Sequence, residues 1–183
     1  TRGAAASRST LGADLVVRVR SWPLELVNGE PLDGAFIGEE VDELRAQVAP
    51  DLFAGFRADR FPASTIPAMA LAEAAYALDV HAGEAASLLV RRALFEEGAS
   101  LDAPDVLDGI ARSVGLAGAP ADHGAVDAGW HEGRDRGVIG SPHFFLSDAD
   151  WFCPSLHIER VDGHLRIESD PEAFDAFVRA CLA

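Results

Sequence analysis

The chain has 183 residues, 49% of them hydrophobic, with a formal net charge of −15. That is enough for one domain with a full core, and the composition is that of a folded chain, not a disordered one. The acidity argues against a nucleic-acid partner and against an anionic membrane surface, since both need basic patches. All 15 basic residues are arginine, which excludes Schiff-base chemistry and a P-loop lysine. The two cysteines, Cys153 and Cys181, form neither a C-x-x-C pair nor a zinc spacing, so a reducing, cytoplasmic setting is expected. The longest uncharged run, Phe61 to Ala72, is twelve residues with two prolines and too short to span a membrane.

Thr1 to Leu11 is small and polar, and Gly12 is a stop signal. Leu15 to Arg20 is β-branched and alternates after Val17, which predicts a strand ended by Trp22-Pro23. Leu24 to Val27 is expected to continue extended, and Asn28-Gly29 is a turn.

Gly34 to Arg136 reads as helical. Glu39 to Ala49 is a polar surface helix closed by Pro50. Asp51 to Phe61 carries Leu52, Phe53 and Phe56 at helical spacing. Thr65 is placed to cap a helix through Met69 and Leu78. A further helix holds Leu88, Leu89 and Phe95, with Gly98 beyond it. Pro104 opens a helix that Gly115 closes, and Ala121 to Arg136 forms another.

The pattern then turns to strands. Phe144 to Leu146 is one. Ser155 to Arg160 and His164 to Glu168 flank Asp162-Gly163, a hairpin signal. Asp170 caps the last helix and Pro171 starts it, with Phe174, Phe177, Val178 and Cys181 on one apolar face.

The joint Gly137-Val138-Ile139-Gly140-Ser141-Pro142-His143-Phe144-Phe145 links a helix to an apolar strand through a proline. A proline there sits at a strand start, an edge or a bulge, and X-Pro is the linkage that readily becomes cis. This G-V-x-G-x-P segment resembles the cis-proline loop of thioredoxin-fold proteins. It is similar in particular to the group of DsbA-type oxidoreductases, FrnE-like proteins, 2-hydroxychromene-2-carboxylate isomerases and kappa-class glutathione transferases. The order strand, helical block, strand, hairpin, helix extends the resemblance over most of the chain.

The resemblance implies an α/β, thioredoxin-like fold with a helical insertion subdomain. Residues 1–33 and 137–183 would form the thioredoxin-like domain and residues 34–136 the insertion. It implies a thiol–disulfide oxidoreductase acting on a thiol or disulfide protein or a small thiol. The alternatives are a glutathione-dependent isomerase or transferase of the same fold, and a redox-inactive peptide-binding protein. Glutathione is the one ligand that these readings bring in, and a homodimer is left open. The stretch before Gly12 is too short for the family's front strand and nucleophile loop, and no cysteine precedes Cys153, so the attacking cysteine is expected outside this chain. Substrate-binding candidates are Ser141, Pro142, His143 and Trp22. Cys153, between Phe152 and Pro154, is the weak candidate for a nucleophile; packing is the ordinary role for such a residue. The histidines show no metal spacing such as H-x-x-x-H, so no metal is expected.

Overall fold

The computed structural model describes residues 16–182. The readings for Thr1 to Leu11, for Gly12 and for Leu15 lie outside that range. Within it the architecture is mixed α/β: seven α-helices, one 3-10 turn and two small antiparallel sheets.

The centre is a pair of helices, α3 (Ile66–Leu78) and α4 (Val80–Phe95). One residue, Asp79, separates them and serves both. Its N–H donates to Ala75 O, and its carboxylate Oδ1 accepts from the N–H groups of His81 (2.8 Å) and Ala82 (3.1 Å). An extended residue whose side chain satisfies the next helix's first donors is what a sharp helix–helix corner needs. The facing surfaces are rich in alanine, so the backbones approach closely. Ala68, Leu71 and Ala75 meet Ala86, Ala93 and Leu94, and Leu101, Leu107 and Ala111 close the cluster. Leu107 and Ala111 come from α5 (Pro104–Ser113), which Pro104 opens.

A short helix flanks this centre. Leu24 to Val27 is not extended: it forms α1 (Leu24–Asn28). Pro23 O accepts from Leu26 N (3.0 Å) and Val27 N (3.3 Å), and Gly29 ends the helix in the left-handed region at φ 77°. Thr65 does not cap α3 with its side chain. Ser64 Oγ accepts from Ile66 N, and Glu25 on α1 accepts from Ser64 Oγ (2.6 Å) and Thr65 N (3.0 Å). A carboxylate from a separate helix thus performs the capping, and no local pattern announces it.

Asp51 to Phe61 is likewise not a helix but a run of turns ending in the 3-10 turn Ala58–Arg60. Its aromatic residues pack on the end of α4, with Phe56 stacked on Phe95 at 5.6 Å and Phe53 edge-on at 5.4 Å. Gly55 N–H donates to Phe95 O, and a Cβ on Gly55 would stand 2.1 Å from Glu96 O. Long-range packing overrides local helical spacing here.

The helix α2 (Gly34–Gln47), capped by Asp33, carries the hairpin. The hairpin strands are β3 (Leu156–Val161) and β4 (His164–Ser169), joined by Asp162 (φ 51°) and Gly163 (φ 88°), the positive pair of a tight type I′ turn. Gln47 mimics a neighbouring strand: its Nε2 donates to Leu165 O (2.8 Å) and its Oε1 accepts from Ile167 N (2.9 Å). Glu43 accepts from Leu165 N (2.6 Å) and contacts His164 Nδ1 (3.1 Å). The Leu165 N–H, and then His164, hold the Glu43 carboxyl below its ordinary value. A lowered carboxyl pKa stabilises the docked state above the ordinary glutamate range, and that contribution is lost as pH falls below that range through the lowered value of the docked state. The Leu165 amide is therefore expected to exchange faster, relative to the core amides, once the pH is taken below that range. Unchanged relative protection would refute this.

Two further strands, β1 (His143–Phe145) and β2 (Asp150–Phe152), form the second sheet, and α7 (Pro171–Leu182) packs Phe177 under it against Phe144 (4.6 Å) and Trp151 (6.0 Å). Asp170 caps α7 as expected, accepting from Ala173 N at 2.9 Å.

The expected strand at Leu15 to Arg20 is corrected. Residues 16–23 are irregular and pair with no strand among the described residues. The alternation is nonetheless present: Val16, Arg18 and Arg20 are exposed, while Val17, Val19 and Ser21 turn inward. Side chains take the place of a ladder. Tyr76 on α3 accepts from Val19 N (2.9 Å) and donates to Val17 O (3.4 Å), and Glu73 accepts from Ser21 N (3.0 Å).

Candidate functional site

Helix α6 (Gly124–Asp135) ends in front of the proline joint. Gly137 (φ 74°) and Val138 donate back to Arg134 O and Gly133 O, closing the helix in a left-handed turn. The chain then crosses Phe152 so closely that a Cβ on Gly140 would stand 2.7 Å from that ring. The Ser141–Pro142 peptide bond is cis, and both residues are exposed. Cys153 N–H donates to Pro142 O (2.9 Å) and Leu146 N–H to Ala149 O (2.8 Å). In the antiparallel alternation Pro142, Phe144 and Leu146 then face β2, and the backbone groups of His143 and Phe145 face the opposite edge. No strand among the described residues pairs with that edge.

This edge borders a groove of about 670 Å³, within the ~300–1,000 Å³ typical of ligand sites. Residues 16–22 line it together with residues 140–146, and α6 and α7 contribute Gly129, Gly133, Phe177 and Cys181. A second concavity of about 730 Å³, along Asn28 to Glu39, is larger but shallow. Its charged lining residues are Glu30, Asp33 and Glu39, and it offers no nucleophile or convergent polar pair, so the groove is the better candidate.

Ser141, Pro142, His143 and Trp22 all line the groove, so residues distant in sequence converge on one place. Trp22 is both lining and packing: its ring lies against α6, where a Cβ on Gly133 would stand 2.7 Å away. His143 does not aim its ring into the groove as strand alternation suggests. Its side chain is 4% exposed, its Nε2 lies 2.8 Å from Asp150 Oδ2, and its Nδ1 accepts from Ile139 N. Both ring nitrogens are committed, and the imidazole braces the loop against β2.

Cys153 sits behind the loop at φ 42°, and burial pushes its thiol up. Cys181, on the apolar face of α7, borders the groove, and burial raises its thiol too. A thiol held above its ordinary value stays protonated at neutral pH and is a poor nucleophile. The two cysteines are free.

Four arginines line the groove, Arg18, Arg20, Arg91 and Arg136, against one acidic residue, Glu132. Arg20 bridges Glu73 (3.2 Å) and Glu132 (2.7 Å). Arg136 contacts Glu132 (3.6 Å) and lies over the Phe145 ring (4.2 Å), and Arg18 lies over Tyr76 (5.5 Å). Sequence reasoning missed this set. Arg18 and Arg20 are legible as one face of an extended segment, but Arg91 and Arg136 come from separate helical regions with no shared spacing. No group of His, Cys, Asp and Glu among the described residues is arranged to hold a metal ion. Nor is any helix among them long and apolar enough to cross a membrane. No family model, curated protein or solved structure matches this chain.

Proposed function

We propose that this chain is a thioredoxin-like protein of the DsbA/FrnE kind with a helical insertion, and that its groove is the substrate-holding side of a thiol–disulfide oxidoreductase. One observation carries the reading: the Ser141–Pro142 turn and the edge of His143 and Phe145, unpaired by any strand among the described residues, border the same groove as residues 16–22. An open strand edge beside an exposed turn suits an extended substrate, which it holds by main-chain hydrogen bonds. In thiol–disulfide exchange a thiolate attacks one sulfur of a substrate disulfide, the other sulfur leaves as a thiolate, and a mixed disulfide forms. The raised pKa values of Cys153 and Cys181 support assigning the attacking thiol to a partner molecule such as glutathione.

The test is a titration of isotope-labelled protein, followed by amide shifts, with oxidised glutathione and with an extended peptide containing one S-methylated cysteine. Binding of either is expected to move the amides of His143 and Phe145 together with those of Val16 and Arg18. Ser141→Trp is expected to weaken it by at least ~10-fold by filling the turn, while Cys153→Ser and Cys181→Ser leave it in place. Shifts confined to other surfaces, or none with either probe, would overturn the reading.

A second reading, a redox-inactive peptide-binding module on the same frame, is favoured by the two raised thiols. Peptide binding without any effect of glutathione, and insulin reduction no faster than background, would mark that case.

A further inference from the structure

Arg91 stands apart from the other groove arginines. It lies on α4 and lines the groove, and no carboxylate among the described residues pairs with it. Its Nη1 donates to the carbonyl oxygen and to Oγ of Ser87, one turn back on its own helix, which leaves the other guanidinium N–H groups without a partner among the described residues. The side chain is exposed, yet surrounding protein desolvates the guanidinium and pulls it below its ordinary value. Its free N–H groups can make charge-assisted hydrogen bonds to an anion that enters the groove.

The surroundings select the kind of anion. Val16, Trp22, Val138, Phe144, Phe177 and Val178 give the groove an apolar lining. In a protein of net charge −15, a lining with four arginines and one glutamate is locally positive. Arg20 and Arg136 are already engaged by Glu73 and Glu132, and Arg18 lies over the Tyr76 ring, so Arg91 is the groove guanidinium with neither a carboxylate nor a ring face against it among the described residues. A planar guanidinium matches a carboxylate in a two-point fork.

We propose that the groove binds a small organic acid, with its apolar body against the aromatic and valine side chains and its carboxylate on Arg91. This rests on the groove being the substrate site but not on any thiol chemistry there.

The test is calorimetric titration with 1-naphthoate and with 1-naphthamide, its uncharged counterpart of similar shape. Wild-type protein is expected to bind the acid at least ~10-fold more tightly, the scale of one charge-assisted pair. Arg91→Met is expected to abolish that preference while keeping the melting temperature and the amide affinity, and Arg91→Lys to retain part of it. Equal affinities for acid and amide in the wild type, or a preference that survives Arg91→Met, would overturn the proposal. The wild-type comparison decides even where the methionine variant folds poorly. Loss of glutathione or peptide binding with the naphthoate preference intact would sink the oxidoreductase reading alone.

Discussion

Replacing Glu73 with alanine is expected to lower the unfolding free energy by about 2–4 kcal/mol, the scale of leaving two buried donors without an acceptor. The side chain is 3% exposed, and its two oxygens serve three donors. Oε1 accepts from Ser21 N and Ser21 Oγ, each at 3.0 Å, and Oε2 accepts from Arg20 Nη1 at 3.2 Å. Truncation leaves a buried N–H and hydroxyl without acceptors, and an unmade hydrogen bond in the interior costs more than a made one contributes. Arg20 keeps Glu132, so its charge is not stranded. Glu73→Gln separates the contributions. It retains an acceptor for Ser21 but places an NH2 donor where Oε2 accepted from Arg20 Nη1; Arg20 is partly solvated and keeps Glu132, so a loss of about 1–2 kcal/mol is expected, smaller than for alanine. Urea midpoints of the three proteins measure both differences. Equal losses for alanine and glutamine would mean that charge, not acceptor capacity, holds residues 19–21. The amides of Val19 and Ser21 should also lose protection before the α3–α4 core does, since this segment has side chains where a strand would have ladder partners.

That substitution of side chains for a ladder explains how much of the fold was legible. Helices bounded by their own residues were readable: Pro104 and Gly115 around α5, Asp170 and Pro171 before α7, and Asp162-Gly163 in the hairpin all act locally. The misses lie where a distant residue decides. Asp51 to Phe61 has helical spacing, but Phe95 gathers its aromatic rings into turns. Thr65 has the chemistry of a cap, but Glu25 of another helix supplies it. Residues 16–21 alternate like a strand and expose alternate side chains like one, yet Tyr76 and Glu73 bond the backbone of Val17, Val19 and Ser21. Alternation reports which side chains are buried; it does not report what the backbone bonds to.

The site follows the same division. The proline joint was legible because glycine, proline and an aromatic run act through their own backbones. Trp22 was legible as the end of an extended segment. The electropositive lining was not. Arg91 stands next to Arg92 on a helix, and nothing in the sequence tells them apart. Arg92 pairs with Glu97 at 2.7 Å on the surface, whereas Arg91 turns into the groove. Which of two adjacent arginines lacks a counter-ion depends on how α4 is rotated against α3, and that rotation is set by packing.

The same packing makes Gly83→Ala the second substitution with a large expected effect. On an open helix face this change stabilises by about 1 kcal/mol, because alanine loses less backbone entropy. Here a Cβ would stand 2.1 Å from two atoms of the Tyr76 ring and 2.6 Å from a third. The ring has no free retreat, because its hydroxyl is held by Val19 N and Val17 O. Either α4 moves off α3 or the ring moves and releases residues 17–19, so the expected net loss is about 1–3 kcal/mol, the usual scale of overpacking. The sign should reverse when the ring is removed. In a Tyr76→Ala background, Gly83→Ala is expected to recover up to about 1 kcal/mol, its helix-propensity value. Urea unfolding of the four proteins in this cycle measures the coupling. Additive losses would mean that Gly83 and Tyr76 do not share the space. Strong coupling, with faster amide exchange at Val19 in the Gly83→Ala protein, would trace the groove's side along residues 17–19 back to one hydrogen atom on α4.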